Sequence, residues 1–277
     1  MSVRELPSDF IIGTSTSAFQ IEGATDVDGR GPSIWDWFAE QPGKIADGSD
    51  GRIACDHYHR YREDVQLIQS LGVSAYRFSV AWPRVVPDGE GAINERGLDF
   101  YDRLVDALLE HKIEPHITLY HWDLPLALHQ RGGWTSRDVV APFVAYTEAV
   151  VKRLGDRVQS WVTHNEPWCA SFLGYEVGEH APGHTSRQEC LKAAHHLLLS
   201  HGEALQCLRS HVSTPCGIVL NLARAIGASE SEGDDAARRL GDGRLNEWFL
   251  DPLHGRGYPD HVVEVLGEDM GFVKDGD

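Results

Sequence analysis

Five short apolar runs of this sequence each finish in side chains able to do chemistry: Gln20 and Glu22; Ser79 and Trp82; His121, Trp122 and Asp123; Asn165 and Glu166; and Asn221. Amide, imidazole and indole groups ringed about one opening suit a polyhydroxylated ligand. A sugar offers hydroxyl donors and acceptors around its rim and apolar C–H faces above and below, so it wants planar hydrogen-bonding groups beside an aromatic platform. Cleaving a glycosidic bond with retention takes two carboxyls about 5–5.5 Å apart, one cycling as acid and base and the other attacking. Glu166 is the first candidate for the acid. Arg77, inside the second run, would be costly to bury without a carboxylate partner. Glu22 and Asp123 are the other strand-end acids in reach, and either is better suited to pairing with an arginine or histidine than to reacting.

The runs that must position these groups alternate with long stretches of helical periodicity, the pattern of parallel strands joined by crossover helices. Strands are expected over residues 10–18, 75–81, 115–120, 158–163 and 216–222. Between them Tyr58, Tyr61, Val65, Ile68 and Leu71 share one helix face that Gly72 terminates, and Leu98, Tyr101, Val105, Leu108 and Leu109 form a second stripe. Thr135 with Asp138 resembles a capping box ahead of Val139, Phe143, Tyr146 and Val150. Ser186 with Glu189 forms a better one, ahead of a long helix carrying Leu191, Ala194, Leu198, Leu205 and Leu208 that must stop before Pro215. Residues 229–239 read as a solvated loop or a short exposed helix, and His57 and His59, on opposite sides of a helix start, as exposed. In parallel α/β barrels the strand ends converge on one mouth, where the active site lies. Residues 1–277 are therefore expected to be one domain, supplying the first five strand-helix units of a (β/α)8 TIM barrel. Nothing after Tyr258 offers three more units, so the barrel cannot close on these residues alone. Its open strand edge calls for a complementary segment or chain, or for self-association.

The sequence resembles the family-one glycoside hydrolases in Phe10-Ile11-Ile12-Gly13 with Gln20-Ile21-Glu22-Gly23, in Tyr76-Arg77-Phe78-Ser79, and in Tyr120-His121-Trp122-Asp123-Leu124-Pro125. The likeness continues in Thr163-His164-Asn165-Glu166-Pro167 and Asp251-Pro252-Leu253, so that it covers nearly the whole chain. The resemblance implies a retaining β-glucosidase acting on a small oligosaccharide or an aryl or alkyl β-glucoside. In it Gln20, His121 and Asn165 bind the hydroxyls of the terminal sugar, Trp122 lies beside them, and Asn165 contacts the 2-hydroxyl. Glu166 protonates the leaving oxygen and later activates water, and Arg77 holds the nucleophilic carboxylate ionised. Trp168, Cys169, Leu173, His180 and Asn221 line the outer, leaving-group subsite. The family's nucleophile is a glutamate in an Ile/Val-Thr-Glu-Asn-Gly run, which these 277 residues do not contain.

The formal net charge of −17 opposes the counterion release that nucleic-acid binding uses and disfavours anionic membrane surfaces. Residues 1–10 have no apolar core after a basic start, no stretch is long enough to span a bilayer, and the expected setting is cytoplasmic. The five cysteines, odd in number and without zinc-like spacing, are expected to be free thiols. The 15 histidines include no HExxH pair, and no metal or other cofactor is expected. The plainer readings are that Glu166 is a solvent-facing residue beside Pro167, that His121, Trp122, Asn165 and Trp168 are satisfied core groups, and that Cys169 is a small buried hydrophobe. The competing functional readings are a non-catalytic glucoside-binding or assembly half-barrel, and an unrelated barrel enzyme.

Overall fold

The large apolar residues of each central run share one face and demand cover there, and the computed structural model supplies it with helices. It describes Leu6, Pro7 and residues 9–277; the rest of the N-terminal stretch weighed above lies outside the described residues. Five parallel strands lie side by side in chain order: β1 (Gly13–Ser15), β2 (Ala75–Ser79), β3 (Glu114–Tyr120), β4 (Ser160–Asn165) and β5 (Cys216–Val219). Every connection is a helical crossover, as in the first five units of a (β/α)8 barrel. Because all five strands run the same way, all five C-terminal ends lie on one rim. On the outer face Tyr76, Phe78, Ile117, Leu119 and Trp161 are buried under helices, whereas Arg77, His116 and Ser160 are only half-buried on the concave side.

Several boundaries differ from expectation, for a common reason. Only Gly13–Ser15 of residues 10–18 enters the ladder, because β1 has a neighbour on one side alone; Phe10, Ile11 and Ile12 stand exposed, and residues 18–21 turn into a short helix. β5, likewise paired only with β4, stops at Val219, and Leu222 beyond it is exposed. β4 runs two residues later than expected and carries Asn165 inside the ladder. Leu71 and Leu109 are exposed rather than buried: Leu71 lies past the last helical turn, and Leu109 sits about 100° around the helix from Leu108. His57 is buried, because its Nδ1 meets Asp64 at 2.6 Å and its ring packs edge-on against Phe100. Ser136, in place of Thr135, caps the 3-10 turn Arg137–Val139 that leads into the helix Val140–Leu154 by accepting from the Asp138 N–H, while the Thr135 hydroxyl donates back to Gly132. Ser186 does cap the helix Arg187–His211 by accepting from the Glu189 N–H, but the Glu189 carboxylate turns to His184 instead of completing the box. Residues 232–242 form a helix with no buried residue.

Two packing features hold the rim in place. Glu22 accepts from Arg84 Nε at 2.9 Å and from the Tyr101 hydroxyl at 2.7 Å, and the Arg84 guanidinium lies over the Tyr58 ring. That ion pair is almost wholly buried and pins the end of β1 to the segment after β2. Gly97 is required where its helix crosses this segment, since a Cβ there would lie 2.0 Å from the Arg84 carbonyl oxygen. The second feature is the helix Arg187–His211, which grips the back of β4: Ser200 meets His164 Nε2 at 2.9 Å, and His201 meets the Thr163 hydroxyl at 2.7 Å. His164 also stacks on Phe143 at 4.6 Å. Removing one partner of a buried ion pair strands the other charge, so Glu22→Gln should lower the unfolding free energy by about 3–5 kcal/mol. Urea denaturation of the variant beside the wild type measures this; a change under about 1 kcal/mol would mean that the pair is not what fixes the rim.

Candidate active site

The rim gathers its polar groups through the ends of β2, β3 and β4. Asn165, the last residue of β4, is buried, and its amide joins two strand ends: Arg77 Nη1 donates to Oδ1 at 2.9 Å, and Nδ2 faces His121 Nε2 at 3.3 Å. Its backbone carbonyl accepts from the Trp122 indole N–H at 2.8 Å. With Oδ1 taken by an arginine, Nδ2 must donate, His121 Nε2 must accept, and the imidazole proton resides on Nδ1. That nitrogen is buried and meets no partner among the described residues. Burial, reinforced by the Arg77 charge, pushes the His121 pKa down to about 4, so the ring stays neutral near pH 7.

Glu166 follows at the point where the β4–β5 register shifts, and its N–H donates to the Val219 carbonyl at 2.8 Å. Its φ of 49° and the Trp122 φ of 77° put both residues in the left-handed region, which costs a side-chain-bearing residue about 1–2 kcal/mol. Such strain persists where surroundings over-determine it, typically at functional sites. Glu166 is half-buried, and the Cys169 thiol donates to its Oε2 at 3.5 Å. Burial, then the nearby Glu166 charge, pushes that thiol up to about 12, so it is no nucleophile near neutrality. Among the described residues Arg77 makes no ion pair; its other contact is the Thr118 hydroxyl at 3.4 Å. Glu22 is committed to Arg84, and Asp123 is wholly buried away from the rim.

Beside this cluster lies a cavity of about 490 Å³ lined by Gln20, His121, Trp122 and His180 from the expected set. Phe19, Trp35, Ile45 and Asp50 line it too, and sequence reasoning missed them because they come from the long segment after β1 rather than from a strand end. The available signal was the Ser33-to-Asp36 capping box, which starts a short helix with Trp35 in its first turn. Rings run continuously from Phe19 through Trp35 and His180 to Trp122 and His121. Trp168, Cys169 and Leu173 belong to the turn-and-π-helix segment that follows Glu166, the π-helix spanning Cys169–Val177. Trp168 stacks on Phe172 at 5.4 Å, and the Leu173 carbonyl accepts from the His180 N–H, which sets His180 against Trp122. Asn221 lies two residues past β5 and is half-buried, with no side-chain contact to the Asn165 cluster among the described residues. No group of three or more His, Cys, Asp or Glu among those residues is arranged to hold a metal ion, and no helix is long and apolar enough to cross a membrane.

A sequence model described as glycosyl hydrolase family 1 matches residues 2–277. The chain belongs to glycosyl hydrolase family 1. It is 47% identical to beta-glucosidase A of Acetivibrio thermocellus, over 99% of its own length and 62% of that protein's. It is 49% identical to a beta-glucosidase of an Agrobacterium species, over 97% and 59% of the two lengths. Among solved structures, an enzyme called AHE from Alicyclobacillus herbarius superposes with a TM-score of 0.96 at 50% identity, covering 100% of this chain and 64% of that one. The virulence factor SghA of Agrobacterium tumefaciens superposes with a TM-score of 0.96 at 48% identity, covering 98% and 61%, and SghA has also been solved with its substrate analog salicin. This family 1 chain thus spans about 60% of the length of the relatives it matches.

The site makes the stability of this family 1 chain acid-sensitive. His121 titrates near 6.5 when unfolded and near 4 when folded, so between those values the unfolded state binds the proton that the folded state refuses. Its contribution is whole above about pH 6.5 and is lost as the pH falls to 4, a loss of about 3 kcal/mol. His196 and His201, also pushed down to about 4 by burial, act in the same direction. In urea unfolding at several pH values, His121→Gln should show a slope between pH 4.5 and 6.5 shallower by about one proton. An unchanged slope would place the His121 proton elsewhere.

Proposed function

We propose that residues 1–277 form the acid/base side of a retaining β-glucosidase that removes the terminal non-reducing β-D-glucosyl residue from short oligosaccharides such as cellobiose or from aryl and alkyl β-glucosides. The observation that supports this best is Glu166, strained into the left-handed region beside an Asn165 amide tied to both Arg77 and His121. In the first step Glu166, protonated, gives its proton to the glycosidic oxygen as a carboxylate attacks the anomeric carbon and the C–O bond to the leaving group breaks. In the second, Glu166 takes a proton from water, whose oxygen displaces the enzyme carboxylate and frees glucose. Asn165 Nδ2 is suited to the 2-hydroxyl, His121 and Gln20 to the other hydroxyls, and Trp122 to an apolar face of the ring. Trp168, Cys169, Leu173, His180 and Asn221 flank the leaving group. Arg77, without an ion-pair partner among the described residues, is poised to keep the attacking carboxylate charged. That carboxylate comes from polypeptide outside residues 1–277, which also covers the exposed edges at Ile11, Ile12 and Leu222. Five free thiols fit a cytoplasmic setting.

The same unpaired Arg77 and exposed edges favour one second reading, a glucoside-binding or assembly half-barrel that does no chemistry. In the native protein, with all the polypeptide that accompanies this chain, Glu166→Gln should lower kcat on an alkyl β-glucoside by about 10²–10⁴ while leaving glucose binding in place. Undiminished turnover would remove Glu166 from the mechanism. Residues 1–277 by themselves should bind without hydrolysing, and normal turnover by them alone would refute an external nucleophile.

A further inference from the structure

Behind the sugar-facing wall lies a carboxyl that the proposed chemistry does not use. Asp123 is 0% exposed, and neither of its oxygens meets a hydrogen-bond partner from another residue among the described ones. The charged and titratable groups facing it are Arg30 from the loop before the helix Ile34–Ala39, Asp36 from that helix, Glu22 from the end of β1, and the Tyr120 and Tyr146 hydroxyls. Arg30 is not available to it, being spent on Asp36 at 2.9 Å and on the carbonyls of Thr25 and Gly31. Both tyrosine hydroxyls are engaged elsewhere, Tyr146 with the Val80 and Leu119 carbonyls and Tyr120 with the Trp134 indole. An isolated carboxylate in such a place is many times costlier than the neutral acid.

Its position in the chain gives this a consequence. Asp123 directly follows Trp122, whose left-handed backbone is held from one side by the indole bond to the Asn165 carbonyl. From the other side it is held by the burial of Asp123 and Leu124 and by the Leu124 carbonyl accepting from the Ile34 N–H. We propose that Asp123 is a positioning residue: as a buried neutral acid it seats the Trp122 turn, and with it His121, against Asn165, and on losing its proton it unseats them. Burial, only partly offset by Arg30, raises its pKa to about 7, which brings the transition to neutral pH. Since this folded value exceeds the ordinary 3.8, the seated form is fully favoured at low pH and is lost as the pH rises through 7.

The sugar-binding consequence rests on the function proposed above, so the test reads the turn itself as well as the sugar. The Trp122 indole N–H exchange rate is followed by NMR against that of Trp82, whose indole donates to the Gly89 carbonyl deep in the core and supplies the intrinsic pH dependence. The Trp122-to-Trp82 ratio should rise about tenfold from pH 6 to pH 8, tracking the ionised fraction of Asp123, and stay level in Asp123→Asn. A level ratio in the wild type, or the same rise in Asp123→Asn, overturns the proposal, and the wild-type slope decides by itself if the variant does not fold. Calorimetric titration with glucose supplies the second arm, with weaker binding expected at pH 8 than at pH 6. Equal affinity at both values despite a rising ratio overturns the positioning of the sugar face. No glucose binding at either value with a rising ratio sinks the functional reading and leaves the control of the turn by Asp123 standing.

Discussion

One amide holds this site together. Asn165 offers a donor, an acceptor and a backbone carbonyl, taken respectively by His121, by Arg77 of β2 and by the indole of Trp122, which like His121 directly follows β3. An amide accepting from a guanidinium on one side can only donate on the other, so a single contact determines which imidazole nitrogen carries the proton. Its neighbours follow from the same junction. Glu166 is the next residue, and the helix Arg187–His211 clamps the two residues before Asn165 through Ser200 and His201.

Placing the junction on a strand end gives it rigidity, and letting the next residue depart from strand geometry gives it function. The register shift between β4 and β5 and the left-handed φ at Glu166 turn the chain out of the ladder at the rim. The π-helix that follows keeps Cys169 within reach of the Glu166 carboxyl. On β3 the corresponding departure is the left-handed Trp122. Two strained residues, facing each other across the Asn165 carbonyl, are affordable because both flanks are buried.

Much of the site was legible because parallel strands repeat one rule: whatever ends the apolar run stands on the rim. That rule placed His121, Trp122, Asn165 and Glu166 together without coordinates; of the two other strand-end acids, each better suited to pairing with an arginine or histidine than to reacting, Glu22 pairs with Arg84 and Asp123 meets neither among the described residues. The rule failed for Phe19, Trp35, Ile45 and Asp50, which reach the cavity from the long segment after β1, where no periodicity announces which side chains turn inward. It also overestimated the edge strands, since residues 10–12 and 220–222 have strand-like composition but no neighbour to pair with.

The order of apolar runs, the stripes between them and the types of residue that close each run suffice for a parallel five-unit sheet with a sugar-like rim, because period and composition are local properties of a chain. Which hydrogen bonds those residues make is not local. That Arg77 meets an amide, that Asp123 finds no partner from another of the described residues, and that His57 is buried depend on groups brought together from distant segments. Only packing in three dimensions decides which of many polar groups are satisfied, and by whom.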